Sequence, residues 1–213
     1  MRQQILDEIL SGGVVAVIRM SDAQKLMRVI EAVRDGGVTA IEVTMTTPGA
    51  LQAIEQAART MGDGVQIGVG SVLDVAMARQ AIDAGARYVV SPIFKPEIVE
   101  EVHRHDLPVM PGAFTPTEIQ RAHEAGADVV KVFPADAVGM SYFKAVLAPM
   151  PHLKLMPTGG VTLTNGGDWL RAGAVAVGVG GALLDKQAIA GGNYAVLTEN
   201  ARTLRRSIEE ARG

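Results

Sequence analysis

Short β-branched runs alternate with longer amphipathic stretches eight times along this chain, and few folds accommodate that rhythm. The runs are VVAVIR (14–19), AIEVTM (40–45), VQIGVGS (65–71), YVVSP (88–92), PVMPGA (108–113), VVKVFP (129–134), KLMPTG (154–159) and AVAVGVG (174–180). Between them lie segments with helical spacing, as at Leu26, Val29, Ile30 and Val33, or at Ile119, Ala122 and His123. The tripeptide Ala-Gly-Ala stands at 84–86, 125–127 and 172–174, each time between a helical stretch and a strand, and Asp35-Gly36-Gly37 holds the equivalent place earlier. Glycine at such a junction fits a helix C-terminus, where one residue turns left-handed at little cost. The unequal spacing marks recurring βα units rather than a strict repeat array.

Eight such units in 213 residues predict one α/β domain over 1–213, a compact (β/α)8 TIM barrel. Residues 1–11 are left as an additional N-terminal helix, and the C-terminal helix closes the ring. An open doubly wound sheet is the alternative that the pattern leaves. With 48% hydrophobic residues the chain has the material for one substantial core. A net charge of -3, with no Lys/Arg cluster beyond Arg205-Arg206, offers no basic field to a nucleic-acid backbone. The absence of cysteine removes disulfides, thiolate nucleophiles and Cys-ligated zinc. MRQQILDEILSGG has the pattern of an amphipathic helix rather than a signal peptide, and VVAVI is too short to span a bilayer. No nucleic acid and no membrane is expected as a partner, and the expected compartment is cytoplasmic.

In parallel α/β architectures the reactive groups gather at the C-terminal ends of the strands. There the sequence places Arg19, Glu42, Thr44, Ser71, Lys131 and Thr158-Gly159-Gly160. Strand parity puts Val129, Lys131 and Phe133 on one side, and Ala40, Glu42 and Thr44 on one side of theirs, turning the lysine and the carboxylate toward the barrel interior. A charge among apolar residues is costly. The two therefore form either a structural salt bridge or an acid/base couple in which a desolvated lysine attacks a carbonyl. Other lysines fit less well: Lys25 and Lys144 fall in helical stretches, Lys154 opens its strand at the opposite end and Lys186 follows the last strand. Lys95 in SPIFKPE is the one competitor, although Pro96 and Glu97 mark it as the start of a solvated helix.

PTGGVT (157–162) and GVGGALL (178–184) set glycine pairs after the seventh and eighth strands, where backbone N–H groups can approach a phosphate. The four histidines lack metal-ligand spacing, and GVGSVLD lacks the third glycine of a dinucleotide fingerprint, so neither a metal nor a cofactor is expected. On residues alone three functions stand: a Schiff-base enzyme, an isomerase or synthase of the phosphate-binding barrels, and a noncatalytic sugar-phosphate binding module.

VVAVIR, AIEVTMTTP, GVGSVLD, VVSP, PVMPGAFTPTE, VVKVFPAD, PTGGV and AVGVGGALL, in this order across nearly the whole chain, resemble the 2-keto-3-deoxy-6-phosphogluconate (KDPG) and 4-hydroxy-2-oxoglutarate (KHG) aldolase family. The resemblance implies a class I, metal-independent aldolase that is typically a homotrimer and takes a small phosphorylated 2-keto acid, releasing pyruvate. It implies Lys131 of VKVFPAD as the Schiff-base lysine and Glu42 of IEVT as the general acid/base. Ser71 stands where the family often has a threonine that helps to hold the pyruvyl carboxylate. Arg19, Thr44, Thr46 and Thr158 fall to substrate binding, and Gly159, Gly160, Gly180 and Gly181 to the phosphate. Two positions depart from the pattern. Ala182 stands where some members carry a serine, which removes one phosphate hydrogen bond. Thr46 lies in the segment where some carry a carboxylate-binding arginine, which leaves Arg19 to supply positive charge. The expected reaction is cleavage of KDPG to pyruvate and glyceraldehyde 3-phosphate, with KHG cleavage to pyruvate and glyoxylate beside it. The C4 epimer, 2-keto-3-deoxy-6-phosphogalactonate, is the alternative substrate.

Overall fold

The structure, a computed structural model, describes residues 1–20, 22–62 and 64–213. The chain runs α1 (Arg2–Gly12), β1 (Val14–Ile18), α2 (Ala23–Asp35), β2 (Ala40–Thr44), α3 (Ala50–Thr60), β3 (Gln66–Gly70), α4 (Val75–Asp83), β4 (Val89–Val90) and α5 (Pro96–Arg104). It continues through β5 (Val109–Met110), β6 (Gly112–Ala113), α6 (Pro116–Glu124), β7 (Val130–Val132), α7 (Gly139–Leu147), β8 (Leu155–Pro157), α8 (Gly166–Arg171), β9 (Val177–Val179), α9 (Lys186–Ala190) and α10 (Ala195–Arg212).

The strands pair in parallel in the orders β5-β4-β3-β2-β1-β9 and β6-β7-β8. Two seams join these sets into a ring. β5 and β6 are halves of one strand interrupted at Pro111, which has no N–H to give to the neighbouring ladder. The β7 edge still follows both halves, with Asp128 N donating to Val109 O at 3.1 Å and Lys131 N to Pro111 O at 2.9 Å. At the other seam Thr158 bridges Gly178, and Val175 N donates to Leu155 O at 3.0 Å. The result is an eight-stranded (β/α)8 barrel, and an open doubly wound sheet is excluded. Each of the eight expected runs holds its strand, trimmed at the ends.

The Ala-Gly-Ala junctions do what their composition asks. Gly85, Gly126 and Gly173 have φ of 103°, 94° and 105°, and the alanine that follows each donates back to Ala81 O, Ala122 O and Trp169 O, closing the helix end. α9 has only five residues, so the eighth helical position falls to α10, whose Leu197, Ala201, Leu204 and Ile208 form a buried stripe against α2 and α8. Contact is close enough that a methyl on Gly36 would strike Ala201 and the Thr198 carbonyl. α1 lies across the N-terminal ends of the strands: Ile5, Leu6 and Ile9 are buried, Arg2 Nε donates to Asp128 Oδ1 at 2.7 Å, and Glu8 accepts from Gln66 Nε2. That end of the barrel is therefore closed, and the opposite end is left for chemistry. Among the described residues no helix is long and apolar enough to cross a membrane.

Candidate active site

Register fixes which side chains enter the barrel. Glu42 is level with Val17 on β1 and Gly68 on β3, Thr44 is level with Gly70, and Lys131 lies between Gly112 and Met156. Both charged groups are inside, Glu42 at 1% and Lys131 at 6% exposure. Glycine makes the room: a methyl on Gly70 would occupy the place of the Glu42 carboxylate. Parity had turned both groups inward, and they are.

The structure separates them, however. Among the described residues Lys131 makes no ion pair and no hydrogen bond, and its Nζ lies 5.3 Å from the centroid of the Phe133 ring. Neither oxygen of Glu42 has a hydrogen-bond partner among the described residues. A structural salt bridge would hold the two within 4 Å and satisfy both. What is present instead is an amine and a carboxylate, each buried in the barrel interior and outside any ion pair with the other. Burial pushes the Glu42 carboxyl up from its ordinary value, outweighing the opposite pull of the Lys131 and Arg19 charges. A carboxyl shifted in that direction is better matched to moving protons near neutrality.

The remaining expected residues surround this pair at the C-terminal mouth. Arg19 is exposed just beyond β1. Ser71 follows β3 with φ 59°, a left-handed conformation that costs a non-glycine residue about 1–3 kcal/mol and tends to persist where a site needs it. Thr44 is fully buried, with its Oγ1 3.0 Å from Thr46 Oγ1 and 3.3 Å from Thr47 Oγ1; the Met20 N–H donates to Thr47 Oγ1 at 3.5 Å. This chain of hydroxyls runs from the interior to the rim, where Thr46 is exposed. Thr158 directs an unpartnered, buried Oγ1 toward Gly178. Lys95 stands immediately before α5, ahead of Pro96.

The two glycine turns also converge at this end. Gly159 and Gly160, with φ of 101° and 72°, pack against Asp136, where a side chain on either would collide. Asn165 ties the first turn by donating to Gly160 O at 3.1 Å and accepting from Thr162 N at 2.7 Å. Among the described residues the amides of Gly160, Val161, Gly181 and Ala182 donate to no protein acceptor. Space around Gly181 is open. Four free N–H groups on adjacent strand ends suit an anion. Among the described residues no group of three or more histidine, aspartate or glutamate side chains could hold a metal ion.

One residue escaped the sequence reading. Tyr88 is fully buried with its hydroxyl unpartnered, and burial together with the Glu42 charge pushes the phenol well above its usual range. The signal was available, since Tyr88 shares strand parity with Val90 and Pro92, but a tyrosine beginning an apolar run looks like core.

Comparison with known proteins agrees with this geometry. A family model described as "Aldolase: KDPG and KHG aldolase" matches residues 5–200. The chain is 38% identical over 186 residues to a 2-dehydro-3-deoxy-phosphogluconate aldolase of Treponema pallidum, covering 87% of each chain. It belongs to the KDPG and KHG aldolase family. Within that family it is also 32% identical over 167 residues to a 2-dehydro-3-deoxy-6-phosphogalactonate aldolase of Escherichia coli, covering 78% of this chain and 82% of the relative. A crystal structure of the KDPG aldolase from Legionella pneumophila, with pyruvate captured at low pH as a covalent carbinolamine intermediate, superposes with a TM-score of 0.87 at 28% identity, covering 94% of this chain and 98% of the other. The aldolase barrel thus accounts for the fold and makes the chain a carbon–carbon lyase.

Proposed function

We propose that the protein cleaves 2-keto-3-deoxy-6-phosphogluconate through a Schiff base on Lys131, with Glu42 as the general acid/base. The observation that carries this is the burial of Lys131 and Glu42 in the barrel interior on the inward faces of β7 and β2, with no ion pair between them. The neutral amine of Lys131 attacks the C2 ketone, giving a carbinolamine of the kind named for the Legionella relative. Proton transfer through Glu42 releases the C2 oxygen as water and leaves an iminium. Glu42, now a carboxylate, takes the proton of the C4 hydroxyl. The C3–C4 bond breaks, its electrons pass to the iminium nitrogen, and glyceraldehyde 3-phosphate departs from a pyruvate enamine. Protonation at C3 and hydrolysis then free pyruvate and restore the amine.

Arg19 and Ser71 hold the keto-acid carboxylate in this scheme, Thr44, Thr46 and Thr158 contact substrate oxygens, and the turns at Gly159-Gly160 and Gly180-Gly181 take the phosphate. KHG is the further substrate in this account, and the galactonate epimer is the alternative to KDPG, since Thr46 places no fixed charge at the rim. One cytoplasmic domain spans 1–213 in this account and assembles as a homotrimer. Support for the assembly is an apolar rim of Leu73, Ile93, Phe114 and Phe133, each about two-fifths exposed, on loops at the same end of the barrel. Light scattering should return three times 22.4 kDa.

Pyruvate release from KDPG and from its C4 epimer, followed with a coupled dehydrogenase, tests the activity. Turnover of at least one phospho sugar acid, abolished by Lys131→Ala, is expected. Binding of either without pyruvate release would favour the noncatalytic module instead.

A further inference from the structure

α2 opens with Ala23-Gln24-Lys25-Leu26, and a lysine in the first turn of a helix opposes the helix dipole. Asp22 offsets part of that cost, accepting from the Lys25 N–H at 3.3 Å and standing 3.9 Å from its ammonium. The ammonium itself reaches another element. Lys25 Nζ donates to Ile189 O at 3.2 Å and to Ala190 O at 3.1 Å, the last two carbonyls of α9, where a cation is favoured. One turn further along the same face of α2, the Arg28 guanidinium lies 5.8 Å from the centre of the Tyr194 ring, at the start of α10. Two consecutive turns of α2 therefore hold the segment that joins β9 to α10.

Both ends of this tie lead to the mouth. β1 and β9 are neighbours in the ring, with Ala16 level with Val179, and a methyl on Gly180 would meet the Val17 carbonyl. Arg19 stands between the end of β1 and the start of α2, and the Gly180-Gly181 turn stands between the end of β9 and α9. Toward β2 the Arg19 segment is anchored by the Met20 N–H, which donates to Thr47 Oγ1 at 3.5 Å. Lys25 supplies the anchor toward β9, across 164 residues of chain. We propose that Lys25 is a positioning residue for substrate binding: by fastening α2 to the last turn of α9 it holds the Arg19 segment and the Gly180-Gly181 turn at a fixed separation, so that the two ends of a phosphorylated 2-keto acid are gripped together. The inference rests on the aldolase function set out above. Lys25 touches no substrate in this account, and its effect passes through spacing alone. A ligand that engages only one of the two anchors has no need of their separation.

Lys25→Met tests this, because it keeps an unbranched stem and removes the charged donor. KM for KDPG or its C4 epimer, whichever the parent cleaves, should rise about tenfold with kcat within about twofold. The pyruvate concentration that gives half-maximal borohydride trapping should stay within about twofold, since pyruvate has no phosphate to reach the Gly180-Gly181 turn. Lys25→Arg, which still donates to both carbonyls, should bring KM for the phosphorylated substrate back to within about threefold of the parent. In an Arg19→Ala background Lys25→Met should add less than about threefold, because the separation matters only while both anchors are present. An unchanged KM for the phosphorylated substrate, an equal loss for pyruvate, no recovery in Lys25→Arg, or a full tenfold rise in the Arg19→Ala background overturns the role of Lys25 and leaves the Lys131 chemistry intact. Absence of turnover in the unsubstituted protein overturns the aldolase function, and this inference with it.

Discussion

Glu42→Gln should make the protein less active and more stable. Both carboxylate oxygens of Glu42 are buried without a partner, and burial outweighs the attraction of Lys131 and Arg19 in setting its protonation. An unsatisfied buried polar group costs about 1–3 kcal/mol, and more when charged. A neutral amide of the same shape keeps the polar cost but removes the extra cost of the buried charge, and should therefore recover about 2 kcal/mol at neutral pH. In a chain of 213 residues each kcal/mol moves Tm by about 2–4 °C, so a gain of roughly 4–8 °C is expected. The gain has a defined pH dependence. Glu42 binds its proton more tightly in the folded than in the unfolded chain, so its contribution is fully favourable below the ordinary glutamate pKa and is lost as pH rises through the raised value. The difference in Tm between variant and parent should accordingly be widest at neutral pH and shrink on acidification. Differential scanning calorimetry across that range measures it, with steady-state cleavage in parallel, where a loss of about 10²–10⁴ in kcat is expected. A variant no more stable than its parent at neutral pH, or a difference independent of pH, would show that Glu42 is not the strained, uncommitted acid described here.

Two further outcomes separate scaffold from site. Asp128 accepts from Arg2 Nε, from the Val109 N–H at 2.9 Å and pairs with His103 Nε2 at 3.2 Å, all at the closed end of the barrel. Asp128→Ala should cost about 3 kcal/mol, seen as a lower urea midpoint, while kcat of the folded enzyme is unchanged. Ala182→Ser returns a hydroxyl beside the open Gly181 turn and should lower KM for the phosphorylated substrate about 2–10-fold, with no effect on a substrate lacking the phosphate.

Much of this arrangement could be read from the sequence because the signals were local. Strand parity alone turned Lys131 and Glu42 inward, glycine after four of the helices marked the junctions of the repeating units, and the paired glycines after the last two strands marked the turns at the mouth. What parity cannot give is distance across the barrel. Whether Lys131 and Glu42 meet as an ion pair depends on strand register and on Gly70, and the two proved to be unpaired. Tyr88 read as core for a related reason: parity turned it inward, but it stands out only because Gly68, on a neighbouring strand and twenty residues earlier in the chain, makes room for its ring. The substitution of α10 for a full eighth helix also depends on a tertiary fact, the close approach at Gly36 and Gly167, rather than on helix propensity. Thr46 shows the same limit, since its place at the exposed end of the Thr44 hydroxyl chain follows from the turn after β2.

The central claim is that Lys131 is the electrophile trap, and sodium borohydride reduction in the presence of pyruvate tests it most directly. Intact mass should show one reduced pyruvyl group per chain, and peptide mapping should place it on Lys131, with Lys95 unmodified and no adduct in Lys131→Ala. An unmodified protein, or an adduct carried by Lys95, would contradict the account.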